Sequence, residues 1–186
     1  MFKETSKEWL INNFNTKDYW GCNLQKALSN HPNLAGDVPN DIIETGTFFG
    51  ESAKIWSFQF NRVITIEASP KLRAIAMKQN SGHQNIEYIL GDTVATLRAT
   101  LHLYKQRLVF FLNSHFGLYL EGELKAIKDC YKQKDPIIVV GDSQNLGYGS
   151  FPSVDGLHQL IMEINPKYAL EFLLGTGVCL CYPPKE

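Results

Sequence analysis

Two glycines and a carboxylate are the residues of this chain whose spacing first points to chemistry. Gly46 and Gly50 lie in the turn that follows the apolar run Asp41–Thr45, and Glu67 ends the next apolar run, VITIE. A glycine lets the backbone approach a ligand that a Cβ would block. A carboxylate at the end of the following strand can accept hydrogen bonds from ribose hydroxyls. The order predicts a strand, a turn, a helix and a second strand that hold an adenosine-type cofactor.

Further polar residues follow the next three predicted strands, namely Asp92 with Thr93, Asn113 with His115, and Asp142. The carboxyl ends of parallel strands share one edge of a sheet, and ligands bind there. His115 is a candidate general base because imidazole accepts protons near neutral pH. The alternative for His115 is a histidine that is hydrogen-bonded behind the fourth strand.

The elements that position these residues alternate along the chain. Strands are predicted over 41–45, 62–67, 86–90, 107–113 and 136–141, and helices over 51–60, 70–80, 93–104, 119–134 and 153–165. Ser69 and Ser153 are candidate N-caps, and Pro70 suits a first helical turn. Residues 168–174 and 178–182 flank a glycine turn and predict a terminal hairpin. We expect an α/β fold: a Rossmann-like three-layer sandwich whose seven-stranded sheet is mostly parallel and has a C-terminal antiparallel hairpin.

The composition predicts one domain with two parts. Residues 1–40 are expected to form a helical lead, with helices near 6–13 and 23–30, that caps the substrate, and residues 41–186 to bind the cofactor. The 186 residues carry a net charge of −1, which gives no basic footprint for nucleic acid and no membrane-binding patch. Residues 1–12 contain no apolar run of seven or more residues and so do not predict a secretory signal, and the four cysteines suit reduced thiols, so we expect a cytoplasmic protein.

The segment Glu44-Thr45-Gly46-Thr47-Phe48-Phe49-Gly50 resembles the first motif of class I S-adenosylmethionine-dependent methyltransferases. Ser52 completes the form E-x-G-T-x-x-G-x-S, which is typical of small-molecule O-methyltransferase-like branches, and Phe48 replaces a glycine that is common in the family. The resemblance implies that Gly46 and Gly50 line the methionine side, that Glu44 orients the loop, that Glu67 binds the ribose, and that Asp92 accepts from the adenine amino group. The cofactor-binding set is then Glu44, Thr45, Gly46, Gly50, Ser52, Glu67, Asp92 and Thr93.

On the acceptor side, Asn113-Ser114-His115-Phe116 is similar to the D-A-H-W element of some O-methyltransferase-like branches, whose metal-dependent members hold Mg²⁺ with acids. Here Asn113 replaces the aspartate, so Asp142 is the one clear acid for a metal, with Asn145 as a helper. The resemblance implies His115, Asp142 and Asn113 as catalytic candidates, and Mg²⁺ is the less favoured mechanism.

Four functions are compatible with these residues. The leading one is O-methylation of a small molecule, with S-adenosylmethionine as cofactor. The others are a cofactor-binding protein that has lost catalysis, a NAD-type oxidoreductase, and an interaction domain without cofactor. The chain lacks the G-x-G-x-x-G spacing of a dinucleotide site, which disfavours the oxidoreductase. Aromatic residues at strand ends, such as Tyr119 and Tyr148, predict walls of a substrate pocket, and the lead and hairpin leave homo-oligomer formation open.

Overall fold

The computed structural model of the protein describes residues 24–34, 36–113, 117–133, 135–173 and 177–184, together with the backbone of residues 3–4. Its strands are β1 (Lys3–Glu4), β2 (Asp41–Thr45), β3 (Arg62–Glu67), β4 (Ile86–Leu90), β5 (Val109–Leu112), β6 (Ile137–Val140), β7 (Ala169–Leu173) and β8 (Val178–Tyr182). Its α-helices are α1 (Leu24–Asn30), α2 (Glu51–Ser57), α3 (Pro70–Gln79), α4 (Thr93–Thr100), α5 (Gly117–Cys130) and α6 (Val154–Ile164).

All these strands form one sheet in the order β1-β7-β8-β6-β5-β2-β3-β4. The five strands β2 to β6 are parallel to one another, and β8 pairs antiparallel with both β6 and β7. The predicted seven-stranded sheet with its antiparallel hairpin is therefore confirmed. The two-residue strand β1, which pairs in parallel with β7 at the sheet edge, was not predicted.

The core has two halves because alternate residues of each strand point to opposite faces of the sheet. Phe110, Ile138 and Cys181 belong to one buried cluster, in which α4, α5 and α6 cover the sheet. Val109 and Ile137, one residue away along their strands, belong to the second cluster, beneath α1 and α2. The continuous apolar runs of the sequence reflect this burial on both faces. The three-layer arrangement follows.

The helix starts are set by the predicted capping residues. The Ser69 hydroxyl accepts a hydrogen bond from the Leu72 N–H at 3.3 Å, and the Ser153 hydroxyl accepts one from the Gly156 N–H at 3.0 Å. A capped helix end satisfies a donor that has no partner within the helix. The two caps thus fix the starts of α3 and α6, the helices that follow β3 and β6 along the chain.

Most differences from the predicted bounds lie at element ends. Helix α2 ends at Ser57 rather than at residue 60, and the helix predicted over 93–104 is α4 followed by a 3₁₀ turn over Leu101–Leu103. The predicted helix near 6–13 lies outside the described residues. Helix α1 matches the second predicted helix and packs into the second cluster through Leu24 and Leu28. No helix in the described part of the chain has the length and apolar character to cross a bilayer.

Candidate cofactor and substrate site

The strand order creates a crevice between β2 and β5. From β2 the chain passes to β3 and β4 on one side, and it then returns to β5 and β6 on the other side. Ligands of open α/β sheets bind at the carboxyl edge where the order reverses in this way. A pocket lies there, lined by the turn after β2 and the end of β5: Gly46, Thr47, Phe48, Phe49, Glu51, Ser52 and Asn113. The sequence motif and the topology thus point to the same place.

The turn after β2 is built on two left-handed glycines. Gly46 and Gly50 both have φ 81°, a region that residues with a Cβ rarely adopt. The Gly46 N–H donates to the Ile66 carbonyl at 3.0 Å, which ties the turn to β3. A Cβ on Gly50 would lie 2.7 Å from Asn80 Nδ2, the same atom that donates to the Gly50 carbonyl. Gly50 therefore serves the packing of α2 against α3.

Phe48 has the left-handed conformation without being a glycine, with φ 51°. Its backbone N–H donates to Glu67 Oε2 at 2.9 Å, and Glu67 Oε1 accepts from the Ser69 N–H at 2.8 Å. Within the described part of the chain two acceptor positions of the carboxylate remain, since each oxygen can accept twice. The predicted ribose acid is thus oriented by backbone donors on two different loops, and it stays able to accept from a ligand.

Glu44 is fully buried beneath the turn. Its oxygens accept from Trp56 Nε1 at 3.2 Å and from the Thr65 hydroxyl at 2.7 Å. Burial raises the pKa of Glu44 to about 7, although hydrogen bonds from Ser52, Thr65 and Trp56 oppose the shift and the charge of Glu67 adds to it. These contacts fix α2 and β3 against the end of β2, and the role of Glu44 in orienting the loop stays a prediction.

Asp92 and Thr93 follow β4 as predicted, and the structure gives them different environments. Asp92 is exposed and is the N-cap of α4, since its Oδ1 accepts from the Ala95 N–H at 2.9 Å. Among the described residues, none donates a hydrogen bond to its other oxygen, Oδ2. The Thr93 hydroxyl is buried and has no hydrogen-bond partner among the described residues. A buried hydroxyl of this kind is costly unless a ligand or water satisfies it.

Thr45 and Asn113 meet where β2 and β5 end side by side. The Thr45 hydroxyl accepts from the Asn113 N–H at 3.1 Å and donates to Glu123 Oε2 at 3.2 Å. Asn113 is 4% exposed, and within the described part of the chain its Oδ1 has no hydrogen-bond partner. A buried acceptor therefore lines the pocket and is available to a donor on a ligand.

Asp142, the third catalytic candidate, follows β6 in a left-handed conformation with φ 52° and accepts from Gln144 Nε2 at 3.3 Å. His115 lies outside the described residues, so its role stays a prediction. Among the residues that the structure describes, no group of three or more His, Cys, Asp or Glu side chains is arranged to hold a metal ion.

No protein-family model matches the sequence, and no curated protein matches it either. Solved structures do match the fold of this chain. The methyltransferase PaMTH1 of Podospora anserina, bound to S-adenosylhomocysteine, has a TM-score of 0.60 at 16% identity over 96% of this chain and 93% of that one. For the 23S rRNA methyltransferase ErmE the TM-score is 0.58 at 14% identity, over 93% of this chain and 69% of that one. For fibrillarin of Aeropyrum pernix, with natively bound S-adenosyl-L-methionine, the TM-score is 0.52 at 11% identity, over 78% of this chain and 66% of that one.

The chain has the fold of the S-adenosylmethionine-dependent methyltransferases. At these identities the similarity establishes the methyltransferase fold, and the roles of individual side chains rest on the geometry given above. Within that fold, the predicted residues Gly46, Ser52 and Asn113 share one pocket, whereas the Thr45 hydroxyl is used in contacts between elements.

Two features of this methyltransferase-fold site were not predicted. Glu123 is fully buried on α5 and accepts from Thr45. Its spacing of three residues from Leu120 and four from Ile127 places it on the apolar face of the helix, which was the available signal. Asn80 donates to both the Gly50 carbonyl and the Tyr88 hydroxyl, at 2.7 and 3.0 Å. A polar residue at a helix end gives no sequence signal of such a contact.

Proposed function

We propose that this protein is an S-adenosylmethionine-dependent methyltransferase that methylates a hydroxyl oxygen of a small molecule. One observation carries the proposal. Three neighbouring strands end, in order, at the turn Gly46–Gly50, at Glu67 and at Asp92, beside a pocket in which the Oδ1 atom of Asn113 is buried without a partner in the described structure. Glu67, Asp92 and Asn113 each offer an acceptor oxygen along the carboxyl edge of the sheet.

The chemistry of this edge fits S-adenosylmethionine. The cofactor presents an ammonium group, two ribose hydroxyls and an adenine amino group, all of which are donors. Asn113 Oδ1 would accept from the ammonium group, Glu67 from the ribose, and the second oxygen of Asp92 from the adenine. Gly46 leaves room for the methionine portion because no side chain projects from the turn there.

A dinucleotide fits the same edge poorly. A pyrophosphate needs a cradle of free backbone N–H groups at a helix N-terminus. Here the Phe48 N–H donates to Glu67, and the Gly50 N–H donates to the Thr47 carbonyl at 2.8 Å. The exposed rings of Phe48 and Phe49 also occupy the turn. These contacts support S-adenosylmethionine over NAD.

When bound, S-adenosylmethionine supplies a methyl group on a sulfonium sulfur, which accepts the electrons of the broken carbon–sulfur bond. The protein must hold the acceptor hydroxyl in line with that bond and exclude water. We assign the removal of the hydroxyl proton to His115, with Asp142 and Asn113 lining the approach. In the alternative mechanism the amide oxygen of Asn113 would not bind the ammonium group, and with Asp142 it would supply hard ligands for Mg²⁺, which would acidify the hydroxyl in place of His115.

A cofactor-binding protein without catalysis is the second candidate. It is favoured by the uncharged Asn113 at the end of β5, and by Asp142, whose side chain accepts from the neighbouring Gln144. Both proposals predict binding of the cofactor, and only the first predicts turnover.

Isothermal titration with S-adenosylhomocysteine tests both candidates together, and absence of binding would overturn both. Activity on a panel of hydroxylated small molecules then separates them. Addition of EDTA to an active preparation should leave the rate unchanged if His115 is the base and abolish it if Mg²⁺ is required. Turnover of NAD without S-adenosylmethionine binding would establish the oxidoreductase instead.

A further inference from the structure

Glu123 places a carboxyl group on the buried, largely apolar face of α5. It shares that face with Leu120, Leu124 and Ile127, and it is fully buried. Glutamate is almost never fully buried unless it is paired, because a buried carboxylate loses its hydration. Replacement of buried ionic groups by apolar side chains of similar volume is often neutral or even stabilising. Packing alone therefore does not explain a carboxyl group at this position.

Glu123 reaches the edge of the sheet through the hydroxyl of Thr45. That hydroxyl donates to Glu123 Oε2 at 3.2 Å and accepts from the Asn113 N–H at 3.1 Å, and both hydrogen bonds are buried. A hydroxyl has one proton to donate and two lone pairs that accept. Because the proton is directed at Glu123, a lone pair is left to face Asn113. The carboxyl group thereby sets the direction of the whole bridge.

The bridge ends at a residue of the pocket. Asn113 is the first residue after β5, where the pairing with β2 has ended at Thr45 and Leu112. The Thr45 hydroxyl thus holds the Asn113 backbone where no ladder bond does so. On its other side Asn113 faces the turn residues 46–49 across the pocket, and its buried Oδ1 has no hydrogen-bond partner among the described residues. A backbone fixed from behind directs this acceptor toward a ligand.

The helix that carries Glu123 is itself packed closely at this level. A Cβ on Gly122 would lie 2.8 Å from Val94 Cγ2, so the backbone of α5 meets the start of α4 next to Glu123. The bridge therefore runs between two fixed elements, the end of β2 and the packed helix α5. Binding groups that are held in this way by a supporting contact lose less freedom when a ligand arrives.

From these contacts we infer that Glu123 is a positioning residue, which acts through Thr45 to hold Asn113 Oδ1 toward the ammonium group of S-adenosylmethionine. The inference rests on the proposed function, which gives that ammonium group to Asn113, and it adds a residue that lies outside the sequence motif. Its effect is confined to the amino-acid portion of the cofactor. The proposed partners of the ribose and the adenine, Glu67 and Asp92, follow β3 and β4, which lie on the far side of β2 from β5.

The test compares S-adenosylhomocysteine with 5′-methylthioadenosine, which has the same adenine, ribose and thioether but no amino-acid portion. Both are titrated into the full chain by isothermal calorimetry. Asn113→Ala removes the acceptor and should weaken S-adenosylhomocysteine binding about tenfold, since a hydrogen bond to a charged group is lost. Glu123→Leu and Thr45→Val leave the acceptor in place but unsupported, and each should weaken it about fivefold. All three variants should bind 5′-methylthioadenosine within about twofold of the wild type, because its contacts are elsewhere.

Conservative changes at the same two positions separate positioning from a general defect in folding. Glu123→Gln keeps a side-chain oxygen that can accept from Thr45, and Thr45→Ser keeps the hydroxyl, so each should restore most of the affinity for S-adenosylhomocysteine. Glu121→Leu is the matched control. Glu121 lies two residues earlier on α5, its side chain is 45% exposed, and it pairs with Lys125. Its replacement should leave the binding of both ligands unchanged.

Equal weakening of both ligands by Glu123→Leu and Thr45→Val would overturn the inference, and so would unchanged affinity for S-adenosylhomocysteine in both variants. If Glu123→Leu fails to fold, Thr45→Val with its serine counterpart decides the question. Binding of S-adenosylhomocysteine alone by the wild type would also count against it, since the contacts to ribose and adenine would then not be separate from that to the ammonium group. Each of these results leaves the proposed cofactor site standing. A wild type that binds neither ligand would overturn the proposed function and this inference together.

Discussion

The carboxylate of Glu67 and the backbone of Phe48 are joined by a hydrogen bond of 2.9 Å, which links the end of β3 to the turn after β2. The group expected to bind the ribose thus also shapes the loop expected to face the methionine portion. A ligand that contacts Glu67 acts on the position of that loop as well.

Replacement of Glu67 by alanine should therefore weaken S-adenosylhomocysteine binding by at least about tenfold, because the ribose acceptor and the anchor of the turn are lost together. Isothermal titration at constant salt measures the effect. Glu87→Ala is the control, since Glu87 lies on the neighbouring strand in an exposed ion pair with Arg62 that adds little stability. Equal affinities for the two variants would show that Glu67 is not part of the site.

Stability should fall as the pH rises from 5 to 8, because Glu44 is buried and its folded-state pKa of about 7 exceeds its ordinary value of 4.5. The folded protein keeps the Glu44 proton longer than the unfolded chain, so this contribution is present at low pH and is lost as the pH rises through 7. The expected loss is roughly 2 kcal/mol over that range.

Urea unfolding of the wild type and of Glu44→Gln at four pH values measures the effect. The glutamine variant should lack this part of the pH dependence, whereas Glu87→Gln, at an exposed position, should keep it. Parallel pH profiles of wild type and Glu44→Gln would contradict the assignment.

Gly50 and Gly36 form a pair for a comparison of backbone and packing effects. Both have positive φ, 81° and 84°, but a Cβ at Gly50 would meet Asn80 and Ala76 whereas one at Gly36 would meet nothing within 4 Å. We expect Gly36→Ala to cost about 1 kcal/mol of unfolding free energy and Gly50→Ala roughly 3 kcal/mol. Thermal and urea unfolding measure both, and equal losses would show that α3 yields to the added methyl group.

The Thr45 hydroxyl should contribute to the unfolding free energy through the two buried hydrogen bonds that it makes. Thr45→Val keeps the shape and leaves the Asn113 N–H and Glu123 Oε2 without this buried bridge, so we expect a loss of about 1–3 kcal/mol. In the control Thr100→Val the lost hydrogen bond, to the Thr96 carbonyl, lies within one helix at a half-buried position, and the change should be within about 0.5 kcal/mol. A neutral Thr45→Val would mean that water replaces the bridge.

The sequence predicted the strands of the sheet well because burial on both faces makes them apolar runs, as in β5 and β6. It also predicted the caps at Ser69 and Ser153, where a side chain acts on its own neighbours. Strand β1 could not be predicted, since two charged residues carry no alternation and its pairing with β7 depends on a segment far along the chain. Pairing of this kind is a tertiary effect.

The same limit applies to the site. Glycine spacing and strand-end acids indicated which loops meet, because topology brings strand ends together. The sequence could not indicate that Phe48 adopts a positive φ, because that conformation goes with a hydrogen bond from its N–H to Glu67 across the fold. The Asp92 cap on α4 and the burial of Glu123 did have local signals, namely the position just before a helix and the spacing from Leu120 and Ile127. Residue type alone would place a glutamate in solvent.

The position of β8 has a consequence for how the protein is made. This strand lies between β6 and β7, inside the sheet, although it is the last of the eight in sequence. While the chain is being synthesised, the apolar strand β6 therefore has an unpaired edge until Val178–Tyr182 has left the ribosome. The edge of β6 is thus unpaired while the segment between Val140 and Val178 is being synthesised, and an exposed strand edge is prone to aggregation during that interval.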